Sequence, residues 1–270
     1  MSPGGARGLP SLRDVARLVV LGDSLTEGVG DPHAGYPNGW RGWAELVADA
    51  LAERDPGTEY VNLALRGRRA AQVLAEQVPL ALAHRPTVVT FWAGGNDLLA
   101  PRVSVDAVAT TVEQALVALA PTGARLLLLT VFELDPSPVL RAAGARATAY
   151  NDRLRVVADR LGADLVDVAD LGRDPSLFCG DRVHPGPAGH RAVAERVAAR
   201  LGVRLGPGGG ADDPRRTPPG WAGEAGWWLG SVVPHAWRWA TMASSRERAR
   251  PKWQEPVRVV DRLVGVPLSR

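Results

Sequence analysis

Short apolar runs and amphipathic stretches alternate along the first two hundred residues of the chain. Leu18-Val19-Val20-Leu21 is long enough for one strand, predicted over residues 17–21, and too short for a helix. Trp40, Trp43, Ala44, Val47 and Leu51 then recur at the period of a helix with one buried face. Residues 60–63 predict a second strand. A helical stretch follows over residues 68–83, and Pro79 inside it predicts a kink or a split. Residues 87–92 (Thr-Val-Val-Thr-Phe-Trp) are β-branched and aromatic, as in a strand. Ser104 is placed to cap a helix striped by Val105, Val108, Val112, Ala115 and Leu119. The almost wholly apolar run at 125–131 fits a central strand buried on both faces. Tyr150, Leu154, Val157 and Leu161 mark another helix, and residues 163–168 a fifth strand. Pro187 suits the first turn of a last helix carrying Ala188, Ala192, Val193, Val197 and Leu201. Strands separated by helices, with no hairpin signal, imply an α/β fold with a five-stranded parallel sheet. Right-handed crossovers make it a three-layer α/β/α domain.

The alternation covers residues 15–203, behind a short amino-terminal extension at 1–14. Gly206-Pro-Gly-Gly-Gly210, followed by Pro214, Pro218 and Pro219, reads as a linker over 204–220. Residues 221–270 form a carboxyl-terminal extension of different composition, holding six of the nine tryptophans. The whole chain, 46% hydrophobic and 23% charged, is ordinary for a soluble globular protein. Its net charge of +3 is uneven: residues 212–270 carry ten basic and six acidic residues, leaving the rest slightly negative. Nucleic-acid binding by the main domain therefore has no electrostatic support. Trp221, Trp227, Trp228, Trp237 and Trp239, followed by Arg246, Arg248, Arg250 and Lys252, allow two readings. One is peripheral contact with an anionic membrane surface. The preferred one is packing of the tryptophans back on the domain, with the basic residues solvated. No run approaches the ~20 apolar residues of a membrane span, and no signal-type apolar core precedes residue 15. Cys179 is the only cysteine, so no intrachain disulfide is available. A cytoplasmic location is expected.

The candidate chemistry starts where the first strand breaks, at Gly22-Asp23-Ser24. Such a break presents a hydroxyl at the carboxyl edge of the sheet, where ligands of open α/β folds collect. Alone, the tripeptide is as readily a turn in which Ser24 caps a helix. Ser24 becomes a nucleophile if a base, an orienting acid and oxyanion donors accompany it. His184 and Asp181, three residues apart on one loop, supply base and acid. The order Ser…Asp…His is one that hydrolytic triads use. A metal held by His184 and Asp181 is the alternative, disfavoured because no second histidine or cysteine pair clusters there. The elbow Gly-x-Ser-x-Gly is excluded, because position 26 is threonine. Asn96, after Gly94-Gly95 and the third strand, is placed to offer an amide at the sheet edge, although Gly-Gly-Asn-Asp is also a good loop sequence. Gly67, after the second strand, is a further backbone donor or simply a strain-relieving glycine.

Taken together these blocks resemble the GDSL, or SGNH, hydrolases, with Ser24, Gly67, Asn96 and His184 as the four marker residues. The resemblance implies a flavodoxin-like sheet and a serine hydrolase that cleaves carboxylic esters through an acyl-enzyme. Ser24, Asp181 and His184 would be catalytic. The Ser24 and Gly67 N–H groups and the Asn96 amide would form the oxyanion hole, with Asp23 and Gly95 supporting. It implies an acyl-ester substrate, while no cofactor or metal is called for. A non-catalytic binding module on the same scaffold, working through the Trp/Arg extension, is the alternative. Arg66, Arg68 and Arg69 flank Gly67 as candidates for binding an anionic part of the substrate or as a solvated helix start. Cys179, beside Phe178, reads as a buried and inert thiol.

Overall fold

The computed structural model describes residues 17–100, 102–134, 141–207 and 250–261. The five expected strands form: β1 (Arg17–Gly22), β2 (Glu59–Asn62), β3 (Val88–Trp92), β4 (Arg125–Leu129) and β5 (Asp164–Val166). They pair in parallel in the order β5-β4-β3-β1-β2. A sixth strand corrects the expected count and the expectation of a wholly parallel sheet. β6 (Trp253–Arg258) lies antiparallel to β2, with Tyr60 opposite Val257 and Asn62 opposite Trp253. Its signal was hidden by Pro256, which a strand tolerates only at a sheet edge or bulge.

Helices cover both faces. α1 (Ser24–Glu27) follows β1 directly, and α2 (Trp43–Arg54) links β1 to β2. α3 (Ala70–Gln72), α4 (Val78–Ala83), α5 (Gly95–Leu98), α6 (Val105–Leu119), α7 (Arg141–Leu161) and α8 (Pro187–Leu201) complete the set. Alternate β1 residues feed the two cores. Leu18 and Val20 pack towards α2 and α8, whereas Val19 and Leu21 face the layer of α3, α4, α6 and α7. Two helix expectations change. Trp40 lies before α2, which starts at Trp43 after Gly42 in a left-handed conformation. The stretch at 68–83 is α3 and α4 joined by a π-helical turn over Val73–Gln77. Pro79, lacking an N–H, follows at once, so the strain falls where a kink was expected.

The carboxyl-terminal strand is fastened by the only lysine of the chain. Lys252 Nζ lies 2.6 Å from Glu45 of α2, both side chains wholly buried, and donates to the carbonyls of Trp40 and Arg41. Tyr60 and Asn62 donate to the same Glu45 oxygen from β2. Lys252 is therefore not part of a solvated basic cluster, although Arg250 is exposed. The five tryptophans at 221–239, Arg246 and Arg248 lie outside the described residues. Among the described residues no helix is long and apolar enough to cross a membrane.

Candidate active site

The turn after β1 is built to hold Ser24. Asp23 caps α1, its Oδ1 accepting the Leu25 N–H at 3.0 Å, so Ser24 is the first residue of the helix and not its cap. Gly22, at the end of β1, is gripped on both sides by one side chain. The Gln77 carbonyl accepts its N–H at 2.9 Å, and the Gln77 amide donates to its C=O at 2.8 Å. Gln77 ends the π-helical turn, and its side chain reaches the turn that carries Ser24.

One hydrogen-bonded line joins residues 160 positions apart. Ser24 Oγ is 2.9 Å from His184 Nε2, and His184 Nδ1 is 2.7 Å from Asp181 Oδ2. The other Asp181 oxygen accepts the N–H groups of Val183 and His184, both at 3.0 Å. Burial alone raises the Asp181 carboxyl, but the His184 ring and those two N–H groups outweigh it and hold it near 2. Asp181 is thus a carboxylate, which accepts from His184 Nδ1–H and leaves Nε2 facing Ser24.

The loop carrying this pair is closed at its base. Phe178 bridges Pro185, and the Cys179 N–H donates to the His184 carbonyl at 2.7 Å. Edge-to-face contacts run from Trp43 through Trp92 and Phe132 to Phe178, so the loop stands on the aromatic core. The loop is seated against Gly30, where a Cβ would meet the Pro185 carbonyl oxygen at 2.1 Å. The half-buried Cys179 thiol faces the Gly30 carbonyl at the same place. His190 is a satisfied core histidine, Nδ1 accepting from Trp43 and Nε2 donating to Val29. Burial pushes it down to about 4.

Asn96 and Gly67 reach the same edge by linked contacts. Asn96 Nδ2 donates to Asp23 Oδ2 and to the Arg68 carbonyl, both at 3.0 Å. Both amide hydrogens therefore already have acceptors. Gly67 stands between two anchored residues, Arg68 held by Asn96 and Arg66 held by Glu27. Its N–H has no acceptor among the described residues. Burial raises Asp23 to about 7 against the Leu25 N–H bond and the nearby His184. The tight turn expected of the glycine pair falls on Gly94, whose φ is 103° and where a Cβ would strike the Tyr150 hydroxyl at 2.3 Å. Gly95 simply begins α5.

The three arginines are divided. Arg66 pairs with the buried Glu27, and Arg68 with Glu76 at 2.7 Å. Arg69 lines an open cleft of about 640 Å³ with Asp97, Ala100, Arg102 and Val103. Asp97 ties α3 to this edge by accepting the Ala70 N–H at 2.9 Å. Among the described residues no group of three or more His, Cys, Asp or Glu side chains is placed to hold a metal. Sequence reasoning missed Gln77 and Glu27, because a buried glutamine or glutamate announces its partners only once the chain is folded.

A hydroxyl, an imidazole and a carboxylate in one line at the carboxyl edge of a parallel sheet is the arrangement by which serine hydrolases work. The sequence matches the GDSL-like lipase/acylhydrolase family over residues 20–192, and the chain belongs to that family. No curated protein sequence matches it. The fold resembles LAE5, an α/β hydrolase from the metagenome of Lake Arreo, Spain, with TM-score 0.58 and 27% identity over 69% of this chain and 94% of that one. TesA is similar too, with TM-score 0.57 and 26% identity over 68% and 97% of the two chains. A catalytic mutant of Axe2, an acetylxylan esterase from Geobacillus stearothermophilus, shares the fold at TM-score 0.60 and 20% identity, covering 69% and 94%. Family and neighbours support a hydrolase acting on esters.

Proposed function

We propose that the protein is a serine esterase that cleaves carboxylic esters through an acyl-enzyme, with Ser24 as nucleophile, His184 as general base and acid, and Asp181 as the orienting carboxylate. The observation that carries this reading is the unbroken line from Asp181 through His184 to Ser24, at 2.7 and 2.9 Å. Ser24 Oγ attacks the ester carbonyl carbon while its proton passes to His184 Nε2. The carbon–oxygen bond to the alcohol then breaks, and His184 returns the proton to the leaving oxygen. A water molecule repeats the sequence on the acyl-serine, releasing the acid and restoring Ser24.

The negative oxygen of each tetrahedral intermediate is met by the N–H groups of Ser24 and Gly67, with Asn96 as third donor. Asn96 donates once the oxyanion displaces Asp23 as acceptor, its bond to the Arg68 carbonyl staying in place. A proton on Asp23 eases that exchange, since a neutral acid is the weaker acceptor. Gly95 serves only in support. The substrate is a small or acyl-bearing ester, and the reducing cytoplasm, suggested by the lone Cys179, is the proposed location. The intact line to Ser24 favours this reading over a binding module, which has no use for it.

Turnover of p-nitrophenyl acetate and labelling by a fluorophosphonate test the proposal directly. Both are expected in the wild-type chain and absent from Ser24→Ala at unchanged melting temperature. Turnover that survives Ser24→Ala unaltered overturns it.

A further inference from the structure

Glu27 is a wholly buried carboxylate one helical turn after Ser24, and every group pointing at it is a donor. Its Oε2 accepts the backbone N–H of Arg66 at 2.8 Å, and the Arg66 guanidinium folds back onto both oxygens. Asn38 Nδ2 donates to Oε1 at 3.0 Å, while the same nitrogen lies 3.3 Å from the Arg250 carbonyl. Two chain segments thus meet on this side chain, the β2–α3 loop and the loop before α2, and Asn38 links them to the segment leading into β6. A buried carboxylate is costly unless its oxygens are met by donors, and here each oxygen is met by donors from a neighbouring loop.

We infer that Glu27 is a positioning residue that fixes the Gly67 N–H relative to Ser24, and with it the geometry of the oxyanion hole; this rests on the esterase reading above. The route is short. Glu27 and Ser24 occupy the two ends of α1, a four-residue helix whose orientation is set by the Asp23 cap. Glu27 holds the N–H of Arg66, and the next amide along the chain is that of Gly67. On the far side Asn96 holds the Arg68 carbonyl, so Gly67 hangs between two clamps. Gly67 has φ 75° and no side chain to pack, hence nothing of its own to fix its amide. Releasing the Arg66 clamp leaves the triad line intact and lets one oxyanion donor drift, and loss of one such donor costs ~10²–10³ in turnover.

Kinetics on the full chain test this with Glu27→Ala, Glu27→Gln and Arg66→Ala. The active sites are counted by fluorophosphonate labelling, and an alkyl boronic acid serves as the tetrahedral mimic. Glu27→Ala is expected to lower kcat per labelled site by roughly 10², with KM changed less than threefold, and to weaken boronate binding by a similar factor. Glu27→Gln keeps the shape but sets an NH2 against donors, so about a tenfold loss is expected. Arg66→Ala keeps the backbone clamp and loses least. A merely structural role lowers the number of labelled sites and leaves kcat per site and boronate affinity alone; that result overturns the inference. Where Glu27→Ala does not fold, Glu27→Gln decides by the same two readouts. A wild-type chain without Ser24-dependent turnover fails the esterase proposal instead, before any Glu27 variant is compared.

Discussion

Two glutamates, Glu27 and Glu45, are both wholly buried and both paired with a cation, yet they sit in regions with different tasks. Glu27 lies at the carboxyl edge of the parallel strands, and its partner Arg66 is half-exposed and adjacent to the proposed oxyanion donor. Glu45 lies under the outer flank of the sheet, and its partner Lys252 is as buried as itself. Its other donors, Tyr60 and Asn62, belong to β2, the strand that β6 covers. The same device organises loops in one place and seals a sheet edge in the other. Where a buried charge ends up therefore decides whether its loss is read in turnover or in stability.

The sharpest break of this comparison is made on the edge of the proposed triad. Asp181→Asn keeps the shape of the loop but removes the carboxylate that holds the His184 proton on Nδ1. kcat for p-nitrophenyl acetate is expected to fall by on the order of 10⁴. On the opposite flank the effect reverses. Lys252→Ala strands the Glu45 charge in the core, and urea unfolding is expected to show a loss of about 3–5 kcal/mol. kcat per labelled active site should stay within threefold. Lys252→Met combined with Glu45→Gln should recover most of that stability, because no uncompensated charge is left.

Gln77→Ala tests a case between the two extremes. It takes the Gln77 acceptor from the buried Gly22 N–H, while the Gly22 carbonyl keeps the Leu65 N–H, so a loss of ~1–3 kcal/mol is expected, together with a lower kcat because Gly22 precedes the turn that carries Ser24. If stability falls while kcat per site does not move, Gln77 belongs with Glu45 and not with Glu27. A further effect is a matter of pH. Asp181, held near 2, contributes stability that is complete above the ordinary carboxylate range and is lost as pH falls through 2. Asp23, raised to about 7, acts with the opposite slope: its folded form binds the proton more tightly, so stability declines as pH rises from about 4 through 7. Asp23→Asn should flatten the profile between those values, as measured by urea midpoints across the range. An unchanged slope would remove Asp23 from the account.

Much of the fold was legible because parallel strands buried on both faces are written as unbroken apolar runs. Residues 18–21, 88–92 and 125–129 needed no partner to be recognised. The candidate site was legible for another reason. Ser24, Asn96 and His184 each follow a strand, and a parallel sheet brings all such positions to one edge. The Asp181–His184 contact spans three residues on one loop, so its spacing already carried it. Gln77 and Glu27 were unreadable, since their partners lie 55 and 39 residues away. β6 was hidden for the same reason, compounded by Pro256 and by its tryptophan- and arginine-rich surroundings. Lys252 looked like one of a row of solvated cations until the fold set it beside Glu45, 207 positions earlier.

Local periodicity and the strand-end motifs were enough to define an α/β/α domain with a serine, a histidine and an aspartate at one edge. Those features depend on contacts a few residues long, or on a topology that short parallel strands impose. The antiparallel sixth strand, the two buried ion pairs and the engagement of both Asn96 hydrogens arose only from the folded chain. Each depends on charge and hydrogen-bond partners that are distant in sequence, and only packing in three dimensions selects which of many arginines, glutamates or amides will meet.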